Sequence, residues 1–444
     1  MPAFFLTDVW PLVMPERGVN EFLDTALNRF PQVRRLVVGF SGGLDSTVLL
    51  HLLKQLQPLH GRELLAVHVH HGLSPNADAW ADHAEALCTA WQIPFRLQRV
   101  QVRHTASLEA AARMARRTAL HKLLQNDDAL LLAHHRMDQA ETVLFRLMRG
   151  SGVTGLAGMQ AEAVIAVQDQ ASRPLWRPLL KVSRPHLECY AHVHGLTWID
   201  DESNRDTAFD RNFLRHDILP SLQTHWPAAV DMLAATACRM QEADQLLQEL
   251  AAELATSCLD DERRLLLPAV RTLSAARQRL VLRYWLKQCG FQLPDEAVLN
   301  QIAAIIRLTR ADAEPLVTWP SGEVRRYRQH LYALSPLAGV SPAWCAEWDM
   351  TTPLVLPDGR CLQAKGSSLS IAPVTVRFRQ GGERLQGHGL SHDLKKLLQS
   401  AAVPPWERQR LPLVFAGAEL LAVAGTTLRA PAWPADLRLI IHRQ

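Results

Sequence analysis

The sequence predicts an α/β protein: a doubly wound, mostly parallel sheet, followed by a helical region and a small mixed C-terminal domain. Three observations carry this. Strand-like and helix-like segments alternate through the first third of the 444 residues. A turn with paired glycines joins the first strand to the first helix, as at nucleotide-binding edges of parallel sheets. Beyond residue 216 the alternation yields to a stretch rich in Ala, Leu, Gln and Glu with helical periodicity.

Leu36-Val37-Val38-Gly39-Phe40 reads as the first strand, with a helix from Ser46. The run 64–70 is β-rich and precedes a helix over 76–91; a strand at 95–100, a helix at 108–124, a strand at 129–133 and a helix after Asp138 continue the order. Such βαβ units place helices on both faces of the sheet. Ligands bind beyond the carboxyl ends of the strands, so the glycine turn, His70-His71-Gly72 and His134-His135 should share one rim. After Gly158 the pattern weakens, with one more strand at 174–180 and a helix at 184–194. The predicted divisions are an extension at 1–32, the sheet domain at 33–215, a mainly helical domain at 216–335, a linker with some strand content at 336–357, and a mixed domain at 358–444.

A chain of this length and 48% hydrophobic content supports about three buried cores. It contains no apolar run of about 18 residues, and Asp8 and Glu16 sit where a signal peptide would be basic, so a cytoplasmic protein with no membrane association is expected. The seven cysteines are scattered without a Cys-x-x-Cys pair, which argues for reduced thiols and against a disulfide framework or a structural zinc. Net charge is +4, yet residues 374–410 alone carry seven Lys/Arg against three Asp/Glu. The remainder is neutral overall, and the basic surplus at one end suits a polyanion.

Ser41-Gly42-Gly43-Leu44-Asp45-Ser46 has the composition of a phosphate cradle. The glycines permit positive φ and close approach of the backbone to an anion, while Ser41, Ser46 and Thr47 bring hydroxyls to a helix N-terminus. Asp45 beside phosphates requires a bridging cation, for which Mg²⁺ is the natural choice. The Gly-Lys-Ser/Thr ending of a Walker A loop is missing. The loop resembles that of the N-type ATP pyrophosphatases, which cleave ATP to AMP and pyrophosphate to activate a substrate oxygen. His68, His70 and His71 lack a carboxylate or cysteine in ligand spacing, so a contact of His70 with the adenosine is preferred to a metal. Asp138 and Glu141, three apart on a helix, form a paired carboxylate face suited to an ammonium.

Further motifs occur in order across the chain. They are His68-Val69-His70-His71-Gly72-Leu73, Leu108-Glu109-Ala110-Ala111-Ala112-Arg113, His134-His135 through Arg149-Gly150-Ser151-Gly152, and Asp201-Glu202-Ser203-Asn204 with Arg211-Asn212-Phe213-Leu214-Arg215. Downstream come Val376-Arg377-Phe378-Arg379-Gln380-Gly381-Gly382-Glu383-Arg384, Leu394-Lys395-Lys396 and Pro404-Pro405-Trp406-Glu407-Arg408. Together these resemble the tRNA(Ile)-lysidine synthetases. The sequence departs from that pattern at Met137, where the family often has a first aspartate, and at Arg117, where it usually has tyrosine.

The resemblance implies ATP-dependent ligation of L-lysine to C2 of the wobble cytidine of tRNA(Ile) with a CAU anticodon, through an adenylated cytidine. The product, lysidine, changes decoding from AUG to AUA. It implies ATP and Mg²⁺ as cofactors and Ser41, Gly42, Gly43, Leu44, Asp45, Ser46, His70 and His134 around ATP, with Asp45 reaching the metal through the nucleotide. Asp138, Glu141 and Arg113 would serve lysine and, with Asp45, catalysis. Arg211, Arg215, Arg377, Arg379, Arg384, Lys395, Lys396 and Arg408 would meet the tRNA. No stable protein partner is implied, with a homodimer as the alternative. Arg325-Arg326-Tyr327-Arg328 reads equally as a phosphate contact or a solvated strand face, and Trp406 as a packing anchor. Two other readings stay open: cytosine thiolation by a related enzyme, and an ATP- and RNA-binding homologue whose catalysis has decayed, motivated by Met137.

Overall fold

The computed structural model describes residues 15–102, 108–167, 170–202, 206–308, 315–337, 339–366, 373–387 and 390–443. Asp8, Ser203 and Asn204 lie outside them. The chain divides into two compact units, Met1–Gln248 and Glu249–Gln444. Among the described residues no helix is long and apolar enough to cross a membrane.

In the first unit, α1 (Pro15–Arg29) precedes a sheet of β1 (Arg35–Gly39), β2 (Glu63–His70), β3 (Phe95–Arg99), β4 (Asp128–Leu131), β5 (Glu162–Val167) and β6 (Gln170–Trp176). The strand order is β3-β2-β1-β4-β6-β5. Every pair is parallel except β5 with β6, an antiparallel hairpin at the edge that the sequence reading rendered as one strand placed too late. The crossovers are α2 (Leu44–His60), α3 (Ala77–Ala90) and α4 (Leu108–Leu123); α5 (Arg136–Met148) and α6 (Val153–Leu156) follow β4, and α7 (Arg184–Val193) follows β6.

Side chains alternate across a strand, so a parallel sheet covered on both faces must be apolar on both. Leu36 and Val38 of β1 and Ala129 and Leu131 of β4 enter the core beneath α1, α2 and α7. Val37 and Leu130 point the other way, against Ala119 and Leu120 of α4. Trp176 is fully buried between Phe22 and Phe30, which anchors the N-terminal helix to the sheet. A third core joins Ala140 and Leu144 of α5 to Leu214, Leu219 and Val230. These belong to a π-helical turn (Leu214–Ile218) that follows α8 (Asp210–Phe213), to α9 (Leu219–His225) and to α10 (Ala229–Cys258).

In the second unit, β7 (Leu265–Leu266), α11 (Leu267–Arg271), α12 (Ala275–Gln288) and α13 (Glu296–Arg307) pack with β8 (Leu316–Trp319), β9 (Gly322–Tyr327) and β10 (His330–Leu334). Trp285, Ile302 and Ile306 fill the core against Val324 and Leu331. The region read as mainly helical therefore carries an antiparallel sheet of order β7-β10-β9-β8.

Next come β11 (Cys345–Trp348), β12 (Leu354–Val355), β13 (Arg360–Lys365), β14 (Val374–Arg377), β15 (Arg384–Gln386), β16 (Ser391–Asp393), α14 (Leu394–Ser400), α15 (Pro405–Arg408), β17 (Leu413–Ala416), β18 (Glu419–Val423) and β19 (Arg438–Arg443). β11 falls in the stretch read as a linker, yet it pairs with β14, Trp348 opposite Val374, and both residues are buried.

Asp358 staples this last region. Its fully buried carboxylate accepts from Arg360 and Arg410, each at 2.8 Å. Burial raises its pKa, but the hydrogen bond and charge of Arg360, aided by Arg410, hold it below the usual aspartate range. Asp358→Asn should lose about 3 kcal/mol at pH 7 by leaving two guanidinium groups without their carboxylate. A depressed pKa stabilises above the ordinary value of about 3.9 and ceases to do so as pH falls through the folded-state value, so the two proteins should converge in acid. Urea unfolding at neutral and acid pH checks this; a gap independent of pH would assign the loss to packing.

Candidate active site

The glycine turn leaves β1 and enters α2 at the carboxyl edge of the sheet. Gly42 has φ +82°, and a Cβ there would lie 2.7 Å from Ile199 Cδ1. Glycine is required twice, by conformation and by the approach of the 198–200 segment. That segment clamps the loop through the Ile199 amide, which donates to Gly42 O at 2.9 Å. Ser46 Oγ accepts from the Ser41 amide at 3.2 Å and lies 3.0 Å from Ser41 Oγ. Thr47 is fully buried and donates to Gly42 O, so it shapes the turn and does not face a ligand as the sequence suggested. No side chain caps α2, and the amides of its first turn lack intrahelical partners, an arrangement that favours an anion.

The loop forms one wall of a cavity of about 260 Å³. Ser41, Gly43, Leu44, Asp45 and Ser46 line it opposite His134, Asp138 and Arg215. His134 is held neutral because burial lowers its pKa, with Arg177, Arg116 and Arg113 adding to the effect against Asp138. Arg113 itself is half-buried on α4 and does not line the cavity.

His135 was absent from the expected site, and it proves to be the joint. As the N-cap of α5 it accepts from the Met137 amide through Nδ1 while its own amide donates to Asp138 Oδ2, a reciprocal capping box. Its fully buried Nε2 stands 3.6 Å from Asp45 Oδ2 and 3.6 Å from Asp138 Oδ2. Burial lowers the His135 pKa, but the carboxylates of Asp45 and Asp138 beside the ring prevail and raise it. The imidazole thus ties the glycine loop to α5.

Arg215 corrects two expectations. Its Nη2 donates to Asp138 Oδ1 at 2.7 Å and its Nε to Glu141 Oε1 at 2.5 Å. It therefore bridges the two carboxylates and is not a surface cation for tRNA, and the face read as an ammonium site already holds a guanidinium of the chain. Glu141, 1% exposed, lies off the cavity, and burial raises its pKa despite Arg215. Asp138 stays on the wall; burial works against its charge, but His135, His134 and Arg215 hold its pKa below the usual range. Met137 packs with the α5, α9 and α10 core, so the departure at that position is an apolar contact.

A second cavity, of about 430 Å³, shares Ser41, Val69 and Arg116 with the first and holds His70 on its wall. His70 Nε2 is 3.1 Å from Asp78 Oδ1, and His68 Nδ1 is 3.0 Å from Phe40 O. Arg211 lies against the Phe145 ring on α5, 5.9 Å from its centroid.

In the second unit most of the cations read as tRNA contacts also bond within the chain. Arg377 and Arg379 flank the buried Glu383, and Arg384 donates to Ser391. Arg408 donates to Val403 O and to the Tyr327 hydroxyl, and Trp406 packs edge-on against Tyr327 and Tyr332 as the anchor expected. Arg325 pairs with Glu323, Arg326 donates to Leu308 O and Arg328 to Gln399 O, so that cluster is structural as well. Lys395 and Lys396, in the first turn of α14, are exposed.

Asp45 Oδ1 is buried without a hydrogen-bond partner among the described residues, which fits a cation shared with phosphate oxygens. No group of three or more His, Cys, Asp or Glu among the described residues is placed to hold a metal, so the remaining ligands of such a cation would be phosphate and water.

Comparison with known proteins matches residues 15–222 to the PP-loop domain, 265–332 to the TilS substrate binding domain and 374–435 to the TilS substrate C-terminal domain. The chain is 42% identical over 402 residues to the tRNA(Ile)-lysidine synthase of Serratia proteamaculans, covering 88% of this chain and 91% of that one. It is 44% identical over 394 residues to that of Xanthomonas axonopodis pv. citri, covering 87% and 88%. The Legionella pneumophila (strain Paris) protein of the same name is 40% identical over 403 residues, covering 89% and 92%.

Proposed function

The chain belongs to the tRNA(Ile)-lysidine synthase family, and from that premise we propose how its residues divide the work of forming lysidine on tRNA(Ile) with ATP. The observation that carries the assignment is the His135 contact, which joins the phosphate loop at Asp45 to the Asp138 carboxylate of α5 at the edge of one cavity.

Replacing O2 of cytosine by an amine needs a better leaving group than oxide. O2 attacks the α-phosphorus of ATP, pyrophosphate leaves, and the cytidine is adenylated. The ε-amine of lysine then attacks C2, and AMP departs with the former O2. The Gly43–Ser46 amides and the Ser41 and Ser46 hydroxyls face the pyrophosphate as its charge develops. Mg²⁺ bound with the nucleotide at Asp45 would neutralise the departing phosphates. Asp138, kept ionised on the cavity wall while bonded to Arg215, adds its negative charge beside the cationic lysine, and Arg113, off the cavity lining, acts on the lysine carboxylate or a phosphate through its charge near His134. Glu141 acts only through Arg215. The reaction is assigned to the cytoplasm.

Incubating the chain with unmodified tRNA(Ile) of CAU anticodon, ATP and labelled lysine tests this. The expected result is labelled tRNA with one AMP and one pyrophosphate per lysine; unlabelled tRNA overturns the reading.

Affinity for tRNA should come largely from phosphate contacts, and Lys395 and Lys396 are, with Arg384, exposed cations of the C-terminal motifs. Replacing both with alanine should weaken tRNA binding by about 3- to 10-fold and lower the slope of log K against log salt by about 1–2. ATP binding should not change. Filter binding across a salt series decides, and an unaltered slope removes the two lysines from the interface.

A further inference from the structure

The second cavity has no role in the scheme so far. It begins past the carboxyl end of β2, and aromatic and apolar side chains make up much of its wall, among them Trp80 of α3 and Phe209, the residue before α8. Polar groups join them, among them His71, Asp201 and Asn212. The Asn212 side chain is anchored, its Nδ2 donating to Asp206 O at 2.9 Å. His71 Nδ1 is buried without a hydrogen-bond partner among the described residues. Burial, with the charge of Arg116 beside it, lowers the His71 pKa to about 4, so the imidazole is neutral and offers one donor and one acceptor. Such a buried polar atom costs stability unless something pairs with it.

The first cavity has an apolar end, lined by Phe40, Val67, Leu120, Leu132 and Ala133, whose chemistry suits an adenine ring. The second meets it at Ser41, Val69 and Arg116, one residue of the phosphate loop among them. Adenylation requires a cytosine oxygen to reach the α-phosphorus, and a base can do so only out of its stack. We infer that the second cavity receives the reacting pyrimidine of the RNA, unstacked, with Trp80 and Phe209 flanking its plane and His71 facing its hydrogen-bonding edge. This rests on the lysidine-forming reading and names the pocket in which that reaction's base is held. Arg116, at the junction, lies where the α-phosphate and the cytosine oxygen meet.

Two measurements on the full chain test the pocket. In the first, tRNA(Ile) carrying 5-iodocytidine at the wobble position is irradiated in complex with the protein and a non-hydrolysable ATP analogue. Crosslinks should map to Trp80, Phe209 or His71, and crosslinks confined to other segments overturn the proposal. In the second, pyrophosphate release that depends on tRNA, measured without lysine, should fall roughly 10- to 100-fold in Trp80→Ala and recover largely in Trp80→Phe, the scale expected for one stacked base. Binding of the ATP analogue should not change. Wild-type release by Trp80→Ala overturns the proposal, and so does weakened analogue binding, which would give the cavity to adenine. Failure of the underlying reading is separately visible, since wild-type protein would then make no lysidine.

Discussion

Asp45→Asn should slow pyrophosphate release on the order of a thousandfold while tRNA binding stays within about threefold of wild type. Asparagine preserves the size of the side chain and its place beside His135 Nε2, which stands 3.6 Å from Asp45 Oδ2. What it removes is the charge beside the first turn of α2 and the buried Oδ1 that lacks a hydrogen-bond partner among the described residues. A neutral amide cannot hold a divalent cation against phosphate as a carboxylate does, so the loss falls on the step in which phosphate charge develops. Phosphate contacts of the tRNA lie on other surfaces and should survive. Rapid-quench pyrophosphate release beside filter binding separates the two quantities, and a thermal melt close to wild type confirms that the fold is intact. Loss of both activities in parallel would break this division of labour.

Arg215→Met carries the other large effect, and it falls first on stability. The guanidinium bonds Asp138 at 2.7 Å and Glu141 at 2.5 Å in a largely buried position. Without it two carboxylates, three apart on α5, face each other, and the expected loss is about 3–5 kcal/mol. The Glu141 pKa is already raised by burial, and removal of Arg215 raises it further. A raised folded-state pKa stabilises below the ordinary glutamate value of about 4.3, and that contribution is lost as pH climbs through the folded value. The variant should therefore be weakest relative to wild type near neutrality and approach it in acid. Adding Glu141→Gln should restore much of the stability without restoring lysidine formation, because Asp138 would still be unheld. Urea unfolding at several pH values with a lysine-incorporation assay decides; a pH-independent loss, or a double variant no firmer than the single, would refute the network.

The division between what was legible and what was not follows the range of the interactions. The phosphate loop could be read because its requirements are local: positive φ at Gly42, hydroxyls at Ser41 and Ser46, and a helix starting at Leu44. The parallel sheet could be read because apolar strands recur between amphipathic helices. The β5–β6 hairpin and β11 were read only in part: β5 is a short, nearly continuous apolar run without alternation, and β11 has only four residues. His135 had a local signal that went unused, an N-cap position three residues before Asp138.

Arg215 had no such signal. In sequence it stands 74 residues beyond Glu141, and a motif match says only that an arginine belongs there. The ion pairs of the basic C-terminal stretch were hidden for the same reason, since a count of charges does not show that Glu383 and Asp358 are buried beneath the arginines. The sequence by itself determined the reaction class and the family, because backbone conformation, hydroxyl placement and motif order are properties of contiguous residues. The tertiary structure alone decided which charges remain for a substrate. Whether an arginine meets an RNA phosphate or a carboxylate of its own chain depends on which groups the fold withdraws from water together, and segments far apart in the chain make that choice.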